Sequence, residues 1–327
     1  MKAQDQSTTA PESPGDARVI IVHDADATLK LQPVALVVEG MVQRAITNLT
    51  GQASPKAAWL SLVSTNDTVG IKVFSHPGAY SGTRPAVVAA VVQGLLSAGV
   101  PPKQIIVWDK RALDLRLAGF FEMESRFGIR VAGAMDAGWD ESTNYESTVL
   151  GTPRWGDLEF GKTGDGIGRK SYVSKLVSHD ITRIINIVPL MHHNQAGVSG
   201  NLYSLALGSV DNTFRFESSS ASMAQAIPEI YALPVLGDRV ILNLVDSLIC
   251  QYEGEQTGLL HYSAVLNELR FSRDAVALDV LSIEEIERQR KLAGAAVIKF
   301  DSTLYSNAAL LGDGINDTHH INVLRIQ

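Results

Sequence analysis

The sequence predicts an α/β protein, with mostly parallel sheet flanked by helices in two lobes and a pocket between them or at the C-terminal ends of strands. Three observations predict it. Short runs rich in Val and Ile alternate with helical segments at about 30 residues per unit, the repeat of a strand–helix–strand crossover. Apolar residues fill 45% of the 327 positions and aromatic ones only 6%, a balance that suits helix-covered sheets better than aromatic-rich all-β folds. Polar residues recur where the apolar runs end, which is where open parallel sheets bind ligands.

Residues 1–17 are polar and rich in Ser, Thr and Pro, and read as a flexible tail. Such a tail suits a cytoplasmic N-terminus and the spacer after a removed export leader equally, so the localisation of a soluble protein stays open between the two. The lobe of residues 18–135 starts with the strand "RVIIVHD" (18–24), followed by a helix over 34–51 that Gly51 terminates. "AAWLSLV" is a short helix and "TVGIKVFS" (68–75) a strand. A helix over 81–99 has Ser81 or Thr83 as cap, Pro85 in its first turn and Gly99 at its end. Strand 104–109, helix 114–128 and strand 129–135 complete the lobe.

Residues 136–170 are glycine-rich without periodicity and read as a long loop or small antiparallel insertion, ordered because it carries Trp139 and Trp155. The lobe of residues 171–327 has strands at 183–191, 239–248, 263–272 and 320–326. Its helices are 198–208, 222–234 with a break or new start at Pro228, and 273–294.

Net charge is −7 with scattered basic residues, which argues against a nucleic-acid partner. No apolar stretch reaches the roughly 20 residues of a membrane span. The single cysteine, Cys250, excludes internal disulfides, CxxC zinc sites and a self-contained iron–sulfur cluster. The oligomeric state is not legible.

Candidate site residues lie at strand ends. Lys72 and His76 leave "GIKVFSHPG"; Asp109, Lys110 and Arg111 end "IIVWDKR"; His192 and His193 end "IVPLMHH"; Asp246 ends "ILNLVD". "AGVSG" (196–200) offers backbone amides at a helix start, including those of Ser199 and Gly200, a geometry that binds phosphate or carboxylate. "SGTRP" (81–85) adds Arg84 as an anion clamp. His76, His192 and His193 are the candidate metal ligands, with Asp246 in reserve, although neighbours on a strand point to opposite faces. "YEGEQTG" (252–258) reads as a solvent-facing turn, and Asp274 and Asp279 as helix residues of structural use.

Four segments in order, "DTVGIKVFSHPG…TRPAVVAAVVQGLLSAGVPPKQIIVWDK", "INIVPLMHHNQAGVSGNLYSLALGS", "LNLVDSLICQYEG" and "FSRDAVALD", resemble the domain-of-unknown-function 362 family from about Arg18 onward. That resemblance implies no agreed activity. Some members carry ferredoxin-type cysteines, which this chain lacks.

Shorter pieces, Thr83-Arg84-Pro85 and His193 through Gly200, are similar to motifs of the nickel-dependent lactate racemase family. By that likeness His193 would be an acid/base residue and Arg84 a substrate contact. The lysine that tethers the racemases' nickel-pincer cofactor is replaced by Tyr203, followed by Ser204, so a tethered pincer is not expected. A Lys-x-His step common in the unknown-function family is Met191-His192-His193 here, and "FESSSAS" stands where a histidine is expected.

The leading expectation is a protein that binds a small anionic molecule. Lys72, Arg84, Ser199 and Gly200 would hold it, His193 would act as acid or base, and Asp109 or Asp246 would orient it. A binding protein without turnover is the alternative, and a metal-dependent enzyme the third. The cofactor and substrate are left open.

Overall fold

Strands drawn from both ends of the chain join one sheet. In the computed structural model, which describes residues 15–297 and 300–327, its members are β1 (Ala17–His23), β2 (Val69–Val73), β3 (Ile105–Asp109) and β4 (Arg130–Gly133). A separate ribbon is formed by β5 (Trp139–Glu146) and β6 (Lys170–Ser174). The main sheet resumes with β7 (Arg183–His193), β8 (Gly197–Val198), β9 (Val240–Gln251), β10 (Ser263–Ser272) and β11 (Ile321–Ile326). Strand order is β11-β1-β10-β9-β7-β2-β3-β4, with β8 folded back on β7. The run from β9 to β4 is parallel throughout, and β10 is antiparallel to both its neighbours. The sheet is therefore mixed but mostly parallel, and the strands of residues 18–135 and 171–327 are hydrogen-bonded into it side by side.

Helices cover both faces because the strands are apolar on both. On β3, Ile105 and Val107 pack to one side and Ile106 and Trp108 to the other. The first side meets α1 (Ala35–Thr50), α2 (Pro55–Leu60), α3 (Pro85–Ala98), α4 (Ala112–Leu117) and α5 (Glu122–Phe127). The second meets α6 (Asn201–Ser209), α7 (Ser220–Tyr231), α8 (Ala275–Leu292) and α9 (Thr303–Leu311). The chain leaves β2 toward β3 with its helices on one face, and leaves β7 on the other side of β2 with its helices on the opposite face. A crevice opens at such a reversal, beyond the strands' C-terminal ends.

Several local expectations need correction. The tail's last residue, Ala17, already belongs to β1, while residues 1–14 of that expected tail lie outside the described residues. Neither Ser81 nor Thr83 caps α3; Arg84 stands at the N-cap, and its side chain makes no capping bond to the helix. Thr83 instead ties the sheet, accepting from the Phe74 amide and donating to the Ile187 carbonyl. The helix expected over 114–128 is two short helices with the turn at Ala118–Phe121 between them. Pro228 does not break its helix: it lies inside α7, and the Ala224 carbonyl that its missing N–H would have bonded accepts from Asn307 Nδ2 instead. Helix α9 has no counterpart in the sequence reading.

The glycine-rich insertion is pinned. Trp139 donates to the Gly156 carbonyl, Asp211 accepts from the Leu158 and Tyr172 amides, and Arg215 donates to the Val149 carbonyl and Ser171 hydroxyl. Trp155 is exposed.

Candidate functional site

Period-two alternation sends Val69, Ile71 and Val73 of β2 to one face and Lys72 to the other, where α6 covers it. Lys72 is completely buried. Its ammonium donates to the Val73 carbonyl at 2.6 Å, Asp109 Oδ1 at 2.8 Å and Ser204 Oγ at 3.0 Å, which uses all three protons. Asp109 is as fully occupied: Oδ2 accepts from the Ser75 amide and hydroxyl at 2.8 and 2.6 Å, and Oδ1 also from the Lys110 amide at 2.7 Å. Burial opposes the charge on each. For Lys72 burial outweighs the attraction of Asp109 and the pKa is lowered. For Asp109, Lys72 and Ser75 outweigh burial, and its pKa falls as well, so the carboxylate stays ionised. Room for this pair depends on Gly208, where an added Cβ would lie 2.4 Å from Lys72 Cε.

The pair forms the floor of a cavity of about 270 Å³, walled by Phe74, His76, Lys110, Arg111, Tyr203 and Gln256 among others. Lys110 Nζ donates to Thr213 Oγ1 at 2.7 Å, and burial pulls its pKa down to about 8 against the attraction of Glu217. His76, at the exposed rim, has Nδ1 3.4 Å from Asp114 Oδ2, and that contact raises its pKa. Tyr203, at the position where the racemase likeness would place a lysine, bonds Gln256 through its hydroxyl, and burial pushes its pKa up.

The histidine pair is divided as strand alternation requires. Strand β7 runs on through both, then turns back into β8, pairing His193 with Gly197 and His192 with Val198. His193 Nδ1 accepts from the Gln195 and Ala196 amides at 3.2 and 3.1 Å and so holds this turn. The ring proton therefore sits on Nε2, and it faces the end of the Gln256 side-chain amide at 3.1 Å, where that amide must present its oxygen to accept it. Burial lowers the pKa of His193 to about 4, so the ring is neutral at pH 7. His192 packs against Phe300 on the other side, with neither ring nitrogen hydrogen-bonded among the described residues, and burial lowers its pKa to about 4 also. His76 is paired with Asp114 at the cavity rim. Among the described residues no three His, Cys, Asp or Glu side chains converge as a metal site, so the set expected from His76, His192 and His193 is not assembled.

Arg84 and Asp246 come together, but with each other. The Arg84 guanidinium donates to Asp246 Oδ1 at 2.8 Å and its backbone amide to Oδ2 at 3.0 Å, both groups buried. Ser199 donates its amide to the Met191 carbonyl, and Gly200 is the N-cap of α6. The anion expected at this helix start is present and internal. The Asp279 carboxylate, from α8, accepts from the amides of Asn201 at 2.7 Å and Leu202 at 3.0 Å and from Asn201 Nδ2 at 2.9 Å. A Cβ on Gly200 would lie 2.4 Å from that carboxylate. Lys72, Asp109 and His76 thus meet at one cavity, while Arg84, Asp246, His192, His193, Ser199 and Gly200 do not line it.

Sequence reasoning missed Ser204, Thr213, Glu217 and Gln256 as cavity residues. Gln256 comes from the segment read as a solvent-facing turn. The one usable signal was Lys72 itself, a charge in the middle of a buried parallel strand.

Residues 69–284, about two thirds of the chain, match the family model described as "Domain of unknown function (DUF362)". The chain belongs to the DUF362 family. The matched span holds β2, β3, β7, β9 and α6, and with them every side chain of the cavity. A crystal structure of a Thermotoga maritima protein is similar to this DUF362 chain at 11% identity and a TM-score of 0.44. That alignment covers 82% of this chain and 61% of that one, so the chain spans less than two thirds of that protein's length. No curated protein matches the DUF362 chain. No described helix is long and apolar enough to cross a membrane.

Proposed function

We propose that this protein binds a small anionic ligand in the cavity beyond β2 and β3, with Lys110 and Arg111 as the groups that grip it. The observation that carries this reading is the contrast between the cavity's lysines. Lys72 has all its protons bonded within the protein. Lys110, among the described residues, bonds only Thr213 through its side chain and has two N–H donors left. Arg111 lines the same cavity without a side-chain hydrogen bond or ion pair among the described residues. Two cations side by side favour an anion, and the saturated Lys72–Asp109 pair gives it a rigid floor. His193 and Arg84, with roles implied by the racemase likeness, take no part in this reading, because both are occupied in holding the fold.

The test is thermal unfolding and calorimetry with propionate and inorganic phosphate. A ligand that binds only the folded state adds about 2.7 kcal/mol at a hundredfold excess over Kd. Lys110→Met and Arg111→Met should each weaken binding by on the order of tenfold or more. If neither anion stabilises the protein, or both variants bind as the wild type does, the reading fails.

Proton transfer at the same cavity is a second reading, favoured by the His76–Asp114 contact at its rim. An anion bound there with an acidic C–H should exchange it with deuterium from solvent, and His76→Gln should slow the exchange. An equal rate in that variant would remove His76 from the role.

A further inference from the structure

We propose that Lys110 is an imine-forming lysine, and that the ligand of this cavity is a small oxo acid carrying a carbonyl next to its anionic group. The inference rests on the anion-binding reading above and narrows it to a chemical class.

An amine that forms an imine needs access to a small molecule, freedom from tight ion pairing and shelter from bulk water. Lys110 meets each requirement, and Lys72 meets none of the first two. Lys110 follows the last residue of β3 and is half-buried in the cavity wall, where a small ligand reaches it. Its side-chain bond is to a neutral hydroxyl, that of Thr213, which leaves the nitrogen lone pair available once a proton departs. No carboxylate lies within ion-pair distance of it among the described residues. After burial the charges that act on it are Glu217, Asp157 and Asp211, which favour the charged form, and the neighbouring Arg111, which disfavours it. A second cation beside a partly buried lysine is a known way to keep part of the amine neutral. Burial outweighs these carboxylates and, with a smaller contribution from Arg111, holds Lys110 at a pKa of about 8, so a substantial fraction is free amine just above neutrality.

The same Arg111 that discourages a proton on Lys110 is placed to pair with a carboxylate. Both side chains line the one cavity, and an oxo acid bound there carries its carbonyl one bond from the carboxylate that Arg111 would pair with. The step balances without an oxidant or reductant. The ammonium gives a proton to Glu217 or water, and the free amine attacks the carbonyl carbon. A C–N bond forms, the carbonyl pair moves to oxygen, and a proton passes from the nitrogen to that oxygen to give the carbinolamine. The carbinolamine then loses its hydroxyl as water, using the proton that Glu217 or solvent took from the ammonium at the start. The net change is ammonium plus carbonyl to iminium plus water.

The test treats the full chain with pyruvate and sodium borohydride near pH 8 and maps the reduced adduct by peptide mass spectrometry. Adduct at Lys110 should form on the order of tenfold faster than at any other lysine, since the remaining lysines are mostly charged at that pH. Lys110→Arg should abolish it, and on the wild-type chain propionate, which lacks the carbonyl, should raise Tm without leaving any adduct. Adduct spread evenly over the lysines, or absent from Lys110, overturns the imine. The Tm response to propionate reports separately on the anion site. Adduct at Lys110 with no propionate response would sustain the imine and sink the anion grip; loss of both would sink the two together.

Discussion

Asp109→Ala removes the carboxylate that faces Lys72 and leaves a completely buried ammonium without its counter-ion. Two acceptors remain to it, the Val73 carbonyl and Ser204 Oγ. The Ser75 amide, the Ser75 hydroxyl and the Lys110 amide also lose their acceptor. Breaking a buried pair from one side costs about 3–5 kcal/mol. Lys72→Met is the milder change: it deletes the ammonium, but Asp109 keeps the three donors just named, so the cost is about 1–3 kcal/mol. Once Lys72 is gone, Asp109→Ala no longer strands a charge, and the double variant should fall short of the sum of the singles by about 2 kcal/mol. Urea unfolding of the four proteins, followed by tryptophan fluorescence and compared at equal slope, measures this. Should Asp109→Ala be too unstable to purify, Asp109→Asn retains one acceptor oxygen and gives the same ordering at reduced size. Equal losses for the two single variants, or additivity within about 0.5 kcal/mol, would refute the idea of a saturated, mutually dependent pair.

The pKa of Lys110 is lowered from 10.5 to about 8 in the folded protein. The unfolded chain therefore binds more protons between those values, and the penalty of the buried charge, full below pH 8, fades as pH rises toward 10.5. Wild-type stability measured against Lys110→Met should accordingly rise across that window, by about 1–3 kcal/mol; a flat difference would mean Lys110 is not desolvated. Gly200→Ala should destabilise by about 1–3 kcal/mol, because its Cβ meets the buried Asp279 carboxylate at the start of α6; an unchanged unfolding midpoint would place that carboxylate elsewhere. Arg84→Met should cost about 3–5 kcal/mol by stranding Asp246, yet leave anion binding at the cavity intact for the folded protein. A stable Arg84→Met protein that no longer binds anions would return Arg84 to the ligand.

The short-range features were legible. Strands β1, β2, β3, β7 and β9, helices α1, α3 and α8, and the glycine stops at Gly51 and Gly99 follow from periodicity and backbone preference. Each depends on residues a few positions apart. That Lys72 and Asp109 come together at one end of the sheet was also readable, because a parallel sheet brings the ends of neighbouring strands together. The partners were not. Arg84 looked like a clamp for ligand, but Asp246, 162 residues away, occupies it. The amides at the start of α6 looked like an anion site, and Asp279, 78 residues on, fills it. His193 looked free to act, but its Nδ1 is taken by the turn that follows it.

The sequence by itself determined which segments are strand or helix and which strand ends carry polar groups, since these depend on local backbone and side-chain chemistry. Tertiary structure alone decided which of those groups remain available to a ligand. Hydrogen-bonding capacity is finite, and whether a donor is already used depends on residues that only the folded sheet and its covering helices bring within 3 Å.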